Sequence, residues 1–289
     1  MLSKTSRVAP ARDPFLPGDA LEKRLNTGCY DSIRAFAQQL DFSGGRIPGT
    51  DELNPLTRLT PATTQSGHAI RFTPQNMDPG AEGYEMQIFA TGQVPTRPNT
   101  MHDVFNALVW LTYPATKAAI NARHIAARDA RNENGNRGPV QDALTLFDEC
   151  GVIVVSDQTA LLDLITEFQW KELFWTRRDV VKQHMKFFLF GHGLMEQLLD
   201  PFVGLVGKAL LINVESAWLG PNIHGLLQHI DARSRTLTAS PASLSRGRDL
   251  APLPVLGIPG WSAENDDERY YDNVDYFRPG RGKRPPRNR

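Results

Sequence analysis

The sequence lacks several features that would fix its chemistry at once. It holds only two cysteines, Cys29 and Cys150, far apart and in no paired spacing. This argues against a zinc ribbon or a disulfide framework and favours buried thiols in a reducing compartment. No apolar run approaches the roughly 20 residues of a membrane span, and the N-terminal residues contain no apolar signal-peptide core. We therefore expect a cytoplasmic protein that does not enter a membrane.

An excess charge of either sign is also missing. Thirty-two Lys and Arg residues balance 32 Asp and Glu residues, for a formal net charge of zero. This argues against duplex DNA as a partner of the whole chain, because such domains are usually strongly basic. Segment 278–289, "RPGRGKRPPRNR", nevertheless holds six basic residues and no acidic one. It predicts either a nucleic-acid or anionic-lipid contact, or a disordered solubilising tail over 280–289.

Several motifs that identify enzymes are missing as well. "FVGLVGK" lacks the spacing of a P-loop, and "GHGLM" lacks the serine of a nucleophile elbow. Neither HExxH nor CxxC occurs. A site must therefore be sought in spacings rather than in a named motif.

Hydrophobic periodicity predicts a helix-rich chain with few strands. We expect α+β architecture, since the strands come in separated pairs among helices. The predicted organisation is an N-terminal helical elaboration and loop over 1–60, one main domain over 61–279, and the basic tail. Residues 236–260 should be extended, and the aromatic segment that follows should dock on the core.

The expected elements are as follows. Helices are predicted at 19–25, 27–40, 101–112, 114–130, 139–150, 158–168, 170–184, 191–202 and 222–233. Strands are predicted at 68–74, 84–96, 151–156, 185–190 and 204–214, and a loop at 41–61.

The stretch "TMHDVFNALVWLTYPATKAAINARH" (100–124) carries two polar stripes at helical spacing. The first comprises His102, Asn106 and Trp110, with Asp103 beside it; the second comprises Lys117, Asn121 and His124. If the helices pack across Pro114, the stripes face each other. Three uses fit such a cluster: a divalent metal site, general-base chemistry with stabilisers for an oxyanion or phosphate, or a buried polar network that fixes helix packing.

The stretch "GHGLMEQ" places His192 and Glu196 four residues apart, on a helix that follows a strand directly. One face of the helix can then present two metal ligands. The alternative is a capping histidine with a surface glutamate.

Asp148 and Glu149 form an acidic pair at the end of a predicted helix. Carboxylates there oppose the helix dipole, so they need a partner. Arg137, Lys171 and Arg177 are the partners we expect, with metal binding as the alternative to structural ion pairs.

Five blocks occur in order from about Arg97 to Pro279: "VPTRPNTMHDVFNALVWLTYPATKAAINARH", "RGPVQDALTLFDECGVIVVS", "WKELFW", "FGHGLMEQLLDPFVGLVGKAL" and "LPVLGIPGWSAENDDERYYDNVDYFRP". Together they resemble the bacterial family called domain of unknown function 3025, for which no reaction is established. The resemblance implies that the family pattern includes Arg97, His102, Asp103, Asn106, Trp110, Lys117, Asn121, Asp142, Asp148, Glu149, His192 and Glu196. The chain departs from that pattern at Gly193, where the family more often carries Ala, and this should loosen the helix start.

Two hypotheses follow. The first is a hydrolase acting on a phosphoester or nucleotide-like anion with a divalent metal (zinc, manganese or iron). Its metal ligands would come from His102, Asp103, Asp148, His192 and Glu196; its catalytic residues would be His102, Asp103, Asn106, Lys117 and Asn121; its substrate-binding residues would be Arg97, Trp110 and His124. The second is a non-enzymatic binding or assembly protein, in which the stripes are structural and the aromatic C-terminal segment and basic tail contact RNA or a protein.

Overall fold

The computed structural model describes residues 18–75, 80–129 and 138–280. The predictions for Arg137 and for the tail beyond Gly280 lie outside these residues. The boundary proposed at residue 60 stays a prediction. Both cysteines are free thiols.

Helices dominate the described chain, and the strands are short. The helices are α1 (Gly18–Leu25), α2 (Arg34–Ala37), α3 (Thr50–Leu56), α4 (Gly80–Thr91), α5 (Met101–Thr112), α6 (Pro114–Asp129), α7 (Pro139–Cys150), α8 (Thr159–Thr166), α9 (Arg178–His184), α10 (His192–Gln197) and α11 (Ile223–Ala239). The strands are β1 (Arg71–Pro74), β2 (Gln93–Thr96), β3 (Gly151–Ser156), β4 (Met185–Leu189), β5 (Val206–Asn213) and β6 (Ala251–Pro254).

The larger sheet has the strand order β4-β3-β5-β6. Strand β3 runs antiparallel to β4 and parallel to β5. Its sequence, "GVIVVS", is buried at every position, as expected for β-branched residues in a central strand that is covered on both faces. The predicted α+β class is confirmed, and this sheet supplies the frame on which α7 and α10 are positioned.

The smaller sheet corrects one prediction. Residues 84–96 were predicted as one strand, but residues up to Thr91 belong to α4, and only Gln93–Thr96 forms a strand, parallel to β1. Two parallel strands need a crossover connection, and α4 supplies it. Its Glu, Met, Gln and Ala residues favour the helix. Gly92 ends it with φ 72°, in the left-handed region.

The prediction of extended backbone over 236–260 is wrong at its start. Helix α11 continues to Ala239. The Thr236 and Thr238 hydroxyls donate to the carbonyls of Ala232 and Ser234, at 3.1 and 2.8 Å. These bonds to the preceding turn let hydroxyl-bearing residues remain inside a helix.

Three other predicted boundaries are corrected. Segment 27–40 is a 3₁₀ turn (Gly28–Tyr30) followed by the short α2, and not one helix. The predicted loop at 41–61 contains α3. Segment 170–184 is divided into a π-helical turn (Glu172–Thr176) and α9, because the backbone of Arg177 leaves the helical region.

At the corner between α5 and α6, Pro114 is the first residue of the second helix, as predicted. Proline is favoured at this position, where its missing N–H would have no partner in the helix. Asp231 of α11 closes this helix start. Its carboxylate accepts from the backbone N–H groups of Ala115 and Thr116 at 2.9 and 2.8 Å, and from the Thr116 hydroxyl. A side chain from a distant helix thus satisfies donors that no neighbour in sequence caps.

Both ends of the described chain pack into the same core. The Tyr30 hydroxyl donates to the Met195 carbonyl at 2.8 Å. In the C-terminal segment, the Tyr276 hydroxyl donates to the Leu205 carbonyl at 2.8 Å and accepts from the Leu256 N–H at 2.9 Å. The predicted docking of this aromatic segment is confirmed. None of the described helices has the length and apolar character to cross a bilayer.

Candidate metal centre

Two histidines and one carboxylate converge from three helices. His102 lies on α5, Glu149 near the end of α7 and His192 at the start of α10. One potential ligand atom of each lies within 4.8 Å of the others. His192 Nε2 is 3.4 Å and His102 Nε2 4.0 Å from the same atom, Glu149 Oε1. Donors of a tetrahedral ion with bonds near 2.1 Å lie about 3.4 Å apart, so only a small closure is needed.

The outer nitrogen of each imidazole faces a second carboxylate. His102 Nδ1 lies 3.0 Å from Glu196 Oε2, within hydrogen-bonding distance. His192 Nδ1 lies 3.8 Å from Asp148 Oδ2 and, among the described residues, has no hydrogen-bond partner. Metal-binding histidines usually present one nitrogen to the ion and the other to a carboxylate or carbonyl. The two rings are also close, with centroids 4.5 Å apart and planes at 76°.

Two glycines bring the segments that carry Glu149 and His192 together. The N–H groups of Phe190 and Gly191 both donate to the Gly151 carbonyl, at 3.0 and 2.8 Å. A Cβ on Gly191 would overlap the backbone of Cys150. The end of α7 and the start of α10 therefore touch backbone to backbone, an approach that only glycine permits.

Gly193 makes room for the carboxylate itself. A Cβ at this position would overlap Glu149 Oε2. Helix α10 nevertheless begins at His192, and the Met195 N–H donates to the Gly191 carbonyl at 3.0 Å. Gly193, where the sequence resemblance predicts a loosened helix start, thus lies at the place where Glu149 approaches α10.

The polar stripes of α5 and α6 meet beneath the histidines. The ammonium of Lys117 donates to Asn106 Oδ1 at 2.9 Å and to both oxygens of Asp148, at 2.6 and 2.8 Å. The prediction that the stripes face each other is confirmed. Lys117, and not Lys171 or Arg177, is the cation that balances Asp148; those two pair with other carboxylates.

Asp148 is ionised despite its burial. Burial by itself would raise the pKa of this carboxyl, but the charges of Lys117 and His192 outweigh it and hold the pKa below its usual 3.8. The carboxylate is therefore a fixed negative charge behind His192.

The pKa of Glu149 is lowered, whereas the pKa of His102 is raised. Burial opposes ionisation of Glu149, but its contacts with His192 and the nearby His102 lower the pKa of the carboxyl. Burial likewise disfavours the imidazolium of His102, yet the hydrogen bond to Glu196 and the charge of Glu149 raise its pKa. Mutual attraction between acids and imidazoles explains both shifts, and a cation in place of the imidazole protons would satisfy the same carboxylates.

The three convergent groups line a cavity of about 410 Å³. The other polar groups on its wall include Tyr84, Glu85, Arg97, Asn106 and His124. The volume suits a small molecule. Tyr84 and Glu85 face it because α4 is helical, so that they lie one turn beyond Gly80 and Ala81, which line the same wall.

Arg97 and Asp103 form a rigid pair at the rim. Both the backbone N–H and the guanidinium of Arg97 donate to Asp103, at 2.6 to 3.1 Å. Asn99, in the turn between them, has φ 55°, a left-handed conformation that Asn tolerates better than most residues. The Arg97 side chain remains 52% exposed and lines the cavity. Both carboxylate oxygens of Asp103 therefore accept hydrogen bonds from Arg97.

The remaining predicted residues have different surroundings. Trp110 is 1% exposed and lies below Lys117, whose ammonium is 5.4 Å from the ring centroid. Asn121 is buried and donates to the backbone carbonyl and the carboxylate of Glu85, at 2.8 and 2.7 Å. His124 lines the cavity. The structure thus brings most of the predicted residues to one region but places Trp110 in the core.

Sequence spacing missed two parts of this region. Glu149 was recognised as half of an acidic pair but not as a partner of the histidines, since only the contact between Gly151 and Gly191 brings it there. Tyr84 and Glu85 were missed because their segment was predicted as a strand. The i, i+1, i+4, i+5 spacing of Gly80, Ala81, Tyr84 and Glu85 was the signal available for a shared helical face.

Comparison with known proteins agrees with the resemblance seen in the sequence blocks. The family profile described as "Protein of unknown function (DUF3025)" matches residues 70–281. Neither the curated proteins nor the solved structures gave a match. The matched range contains the convergent histidines, their carboxylates and the cavity. The chain therefore belongs to the DUF3025 family.

Proposed function

We propose that this protein is a metal-dependent hydrolase that acts on a small anionic substrate, of the phosphoester or nucleotide-like class. One observation carries the proposal. The Nε2 atoms of His102 and His192 point at one carboxylate oxygen of Glu149, while their Nδ1 atoms face the further carboxylates Glu196 and Asp148. Two histidines and one carboxylate, with carboxylates behind the rings, form the donor set of many catalytic metal sites.

The proposed ligands are His102, His192 and Glu149. Glu196 orients His102 from behind and increases the basicity of its ring. Asp148 does the same for His192, while Lys117 balances its charge. Asp103, which the sequence also suggested as a ligand, serves instead to hold Arg97.

Three protein ligands leave coordination positions for water and substrate, and the ligands line the cavity. A divalent ion held by these three residues would acidify bound water, toward a pKa of about 7, and would so supply the nucleophile for hydrolysis. Arg97 presents the guanidinium edge that Asp103 does not occupy to an anionic group of the substrate. The nitrogen and oxygen donor set suits zinc, manganese or iron.

The alternative, a non-enzymatic protein with a structural polar network, explains only part of the region. The contacts of Lys117 with Asp148 and Asn106 are those of a buried network that fixes helix packing. The half-exposed Glu149 and the imidazole nitrogens directed at it lie on the cavity wall and are not explained in this way. Of the aromatic side chains that this alternative would use, Tyr271, Tyr276 and Phe277 are buried, and only Trp261 and Tyr270 are partly exposed.

The test is elemental analysis of protein purified without an affinity tag, as wild type, His102→Ala and His184→Ala. His184 is the matched control, because its Nδ1 also lies 3.0 Å from a carboxylate, that of Asp157, outside the cavity. We expect about one equivalent of zinc, manganese or iron in the wild type and the control, and loss in His102→Ala. The loaded protein would then be assayed for hydrolysis of p-nitrophenyl phosphate.

Equal metal content in all three proteins would contradict the proposed ligands. A wild type that neither retains metal nor takes up added zinc or manganese would remove the proposal entirely.

A further inference from the structure

Tyr84 projects from α4 into the same cavity as the proposed ligands. Its hydroxyl lies 2.7 Å from Asn106 Nδ2. Asn106 follows His102 by one helical turn, so the two side chains leave the same face of α5 about 6 Å apart along the axis. The tyrosine hydroxyl is therefore held on the wall beside the metal centre.

The direction of the hydrogen bond between Tyr84 and Asn106 is fixed by Lys117. An ammonium group can only donate, so the Asn106 oxygen must face Lys117 and its NH₂ group must face Tyr84. The tyrosine oxygen is thus the acceptor. The Tyr84 O–H makes no hydrogen bond to another described residue and is left to donate into the cavity.

Lys117 is itself unable to reorient. Its three N–H bonds are directed at Asn106 Oδ1 and at the two oxygens of Asp148, within 2.6 to 2.9 Å. The hydrogen-bond chain from Asp148 through Lys117 and Asn106 to Tyr84 therefore sets the direction of the Tyr84 O–H. Burial, with the nearby charges of Glu85 and Asp148, also raises the pKa of Tyr84 well above its usual range, so the hydroxyl keeps its proton at neutral pH.

We propose that Tyr84 is a catalytic residue that donates a hydrogen bond to an oxygen of the anionic group bound at the metal. This inference rests on the proposed metal site and identifies a group that contacts its substrate. A neutral donor held in a fixed direction stabilises negative charge on that oxygen without needing to reorganise. Asn106 and Lys117 act through Tyr84 and are positioning residues.

The test uses protein loaded with cobalt(II), whose visible absorption bands report ligand binding, and inorganic phosphate as the probe. Tyr84→Phe removes one oxygen atom. We expect its cobalt content to match the wild type and its Kd for phosphate to rise about tenfold, as for loss of a hydrogen bond to a charged acceptor. The matched control is Tyr276→Phe, which removes a buried hydroxyl bound to Leu205 and Leu256. It should lose stability and keep the phosphate Kd.

A second variant tests the direction of the proton. In Asn106→Asp the carboxylate can accept from both Lys117 and Tyr84, so the tyrosine O–H turns away from the cavity. The added charge also repels phosphate, and the Tyr84→Phe background isolates that effect. We expect Asn106→Asp to weaken phosphate binding more in the Tyr84 protein than in the Tyr84→Phe background.

Three results would contradict the role of Tyr84, the direction of its O–H or the metal site itself. Normal cobalt uptake with an unchanged phosphate Kd in Tyr84→Phe refutes the role of Tyr84 alone. Equal effects of Asn106→Asp in the two backgrounds refute the claim that Asn106 and Lys117 set the direction of the Tyr84 O–H. A wild type that takes up no cobalt refutes the metal site and this inference with it.

Discussion

Replacement of Lys117 by Met should be among the most damaging single changes in this protein. The Lys117 side chain is 5% exposed and that of its partner Asp148 is 16% exposed. Methionine keeps most of the apolar stem but leaves a buried carboxylate without its cation, and Asn106 without its donor. Removing one partner of a buried ion pair costs about 3–5 kcal/mol, and we expect a loss of unfolding free energy in that range.

Urea denaturation at neutral pH measures this loss of unfolding free energy. Two further variants test whether the loss comes from an uncompensated buried charge. Asp148→Asn added to Lys117→Met should recover about half of the loss, because the uncompensated charge is then gone. Lys171→Met is the matched control: its ammonium also contacts two carboxylates, Glu268 and Asp272, but its side chain is 39% exposed, so its removal should matter little. A loss below about 1 kcal/mol for Lys117→Met would refute the reasoning, since only a hydrated pair behaves so.

Two other predictions concern the same region. Glu196→Gln should weaken metal affinity about 10–100-fold, because in the proposed site Glu196 orients His102 without ligating the ion. Competition with a chelator measures the affinity. A loss as large as that in His102→Ala would make Glu196 a ligand. The pKa of Asp148 lies below 3.8 in the folded protein, so its ionised form contributes stability at neutral pH that is lost as the pH falls below about 4. The difference in unfolding free energy between wild type and Asp148→Asn should therefore shrink on acidification; a constant difference would contradict the shift.

The helical stripes were the part of the site that sequence could predict. His102 and Asn106, four residues apart, must share a face of any helix, and so must Lys117 and Asn121. Pro114 indicated a corner between the helices, and the contact between Lys117 and Asn106 follows from it. These predictions needed only the period of the helix and the preference of proline for the first turn of a helix.

The remainder depends on contacts between distant segments, which no local pattern records. Glu149 meets His192 because the Gly151 carbonyl accepts from the N–H groups of Phe190 and Gly191, which directly follow β4. The strand predicted at 84–96 is wrong because "YEMQIFATG" alternates as a strand would. The parallel pairing of β1 and β2 needs a crossover connection, which α4 supplies. The misjudged helix carries Tyr84, so an error in secondary structure also hid a residue of the cavity.

The backbone contact between Gly151 and Gly191 makes the proposed ligand set a product of the completed fold. Residues 102, 149 and 192 come from segments that meet only after β3 and β4 have paired and α10 has packed on α5. An ion at this site would bind the native chain and find no equivalent in the unfolded one, so binding and folding would be thermodynamically linked. At a free ion concentration 100 times its Kd, the link stabilises the protein by about 2.7 kcal/mol. If the proposed metal site is occupied, the supply of metal would therefore influence the stability of the folded protein.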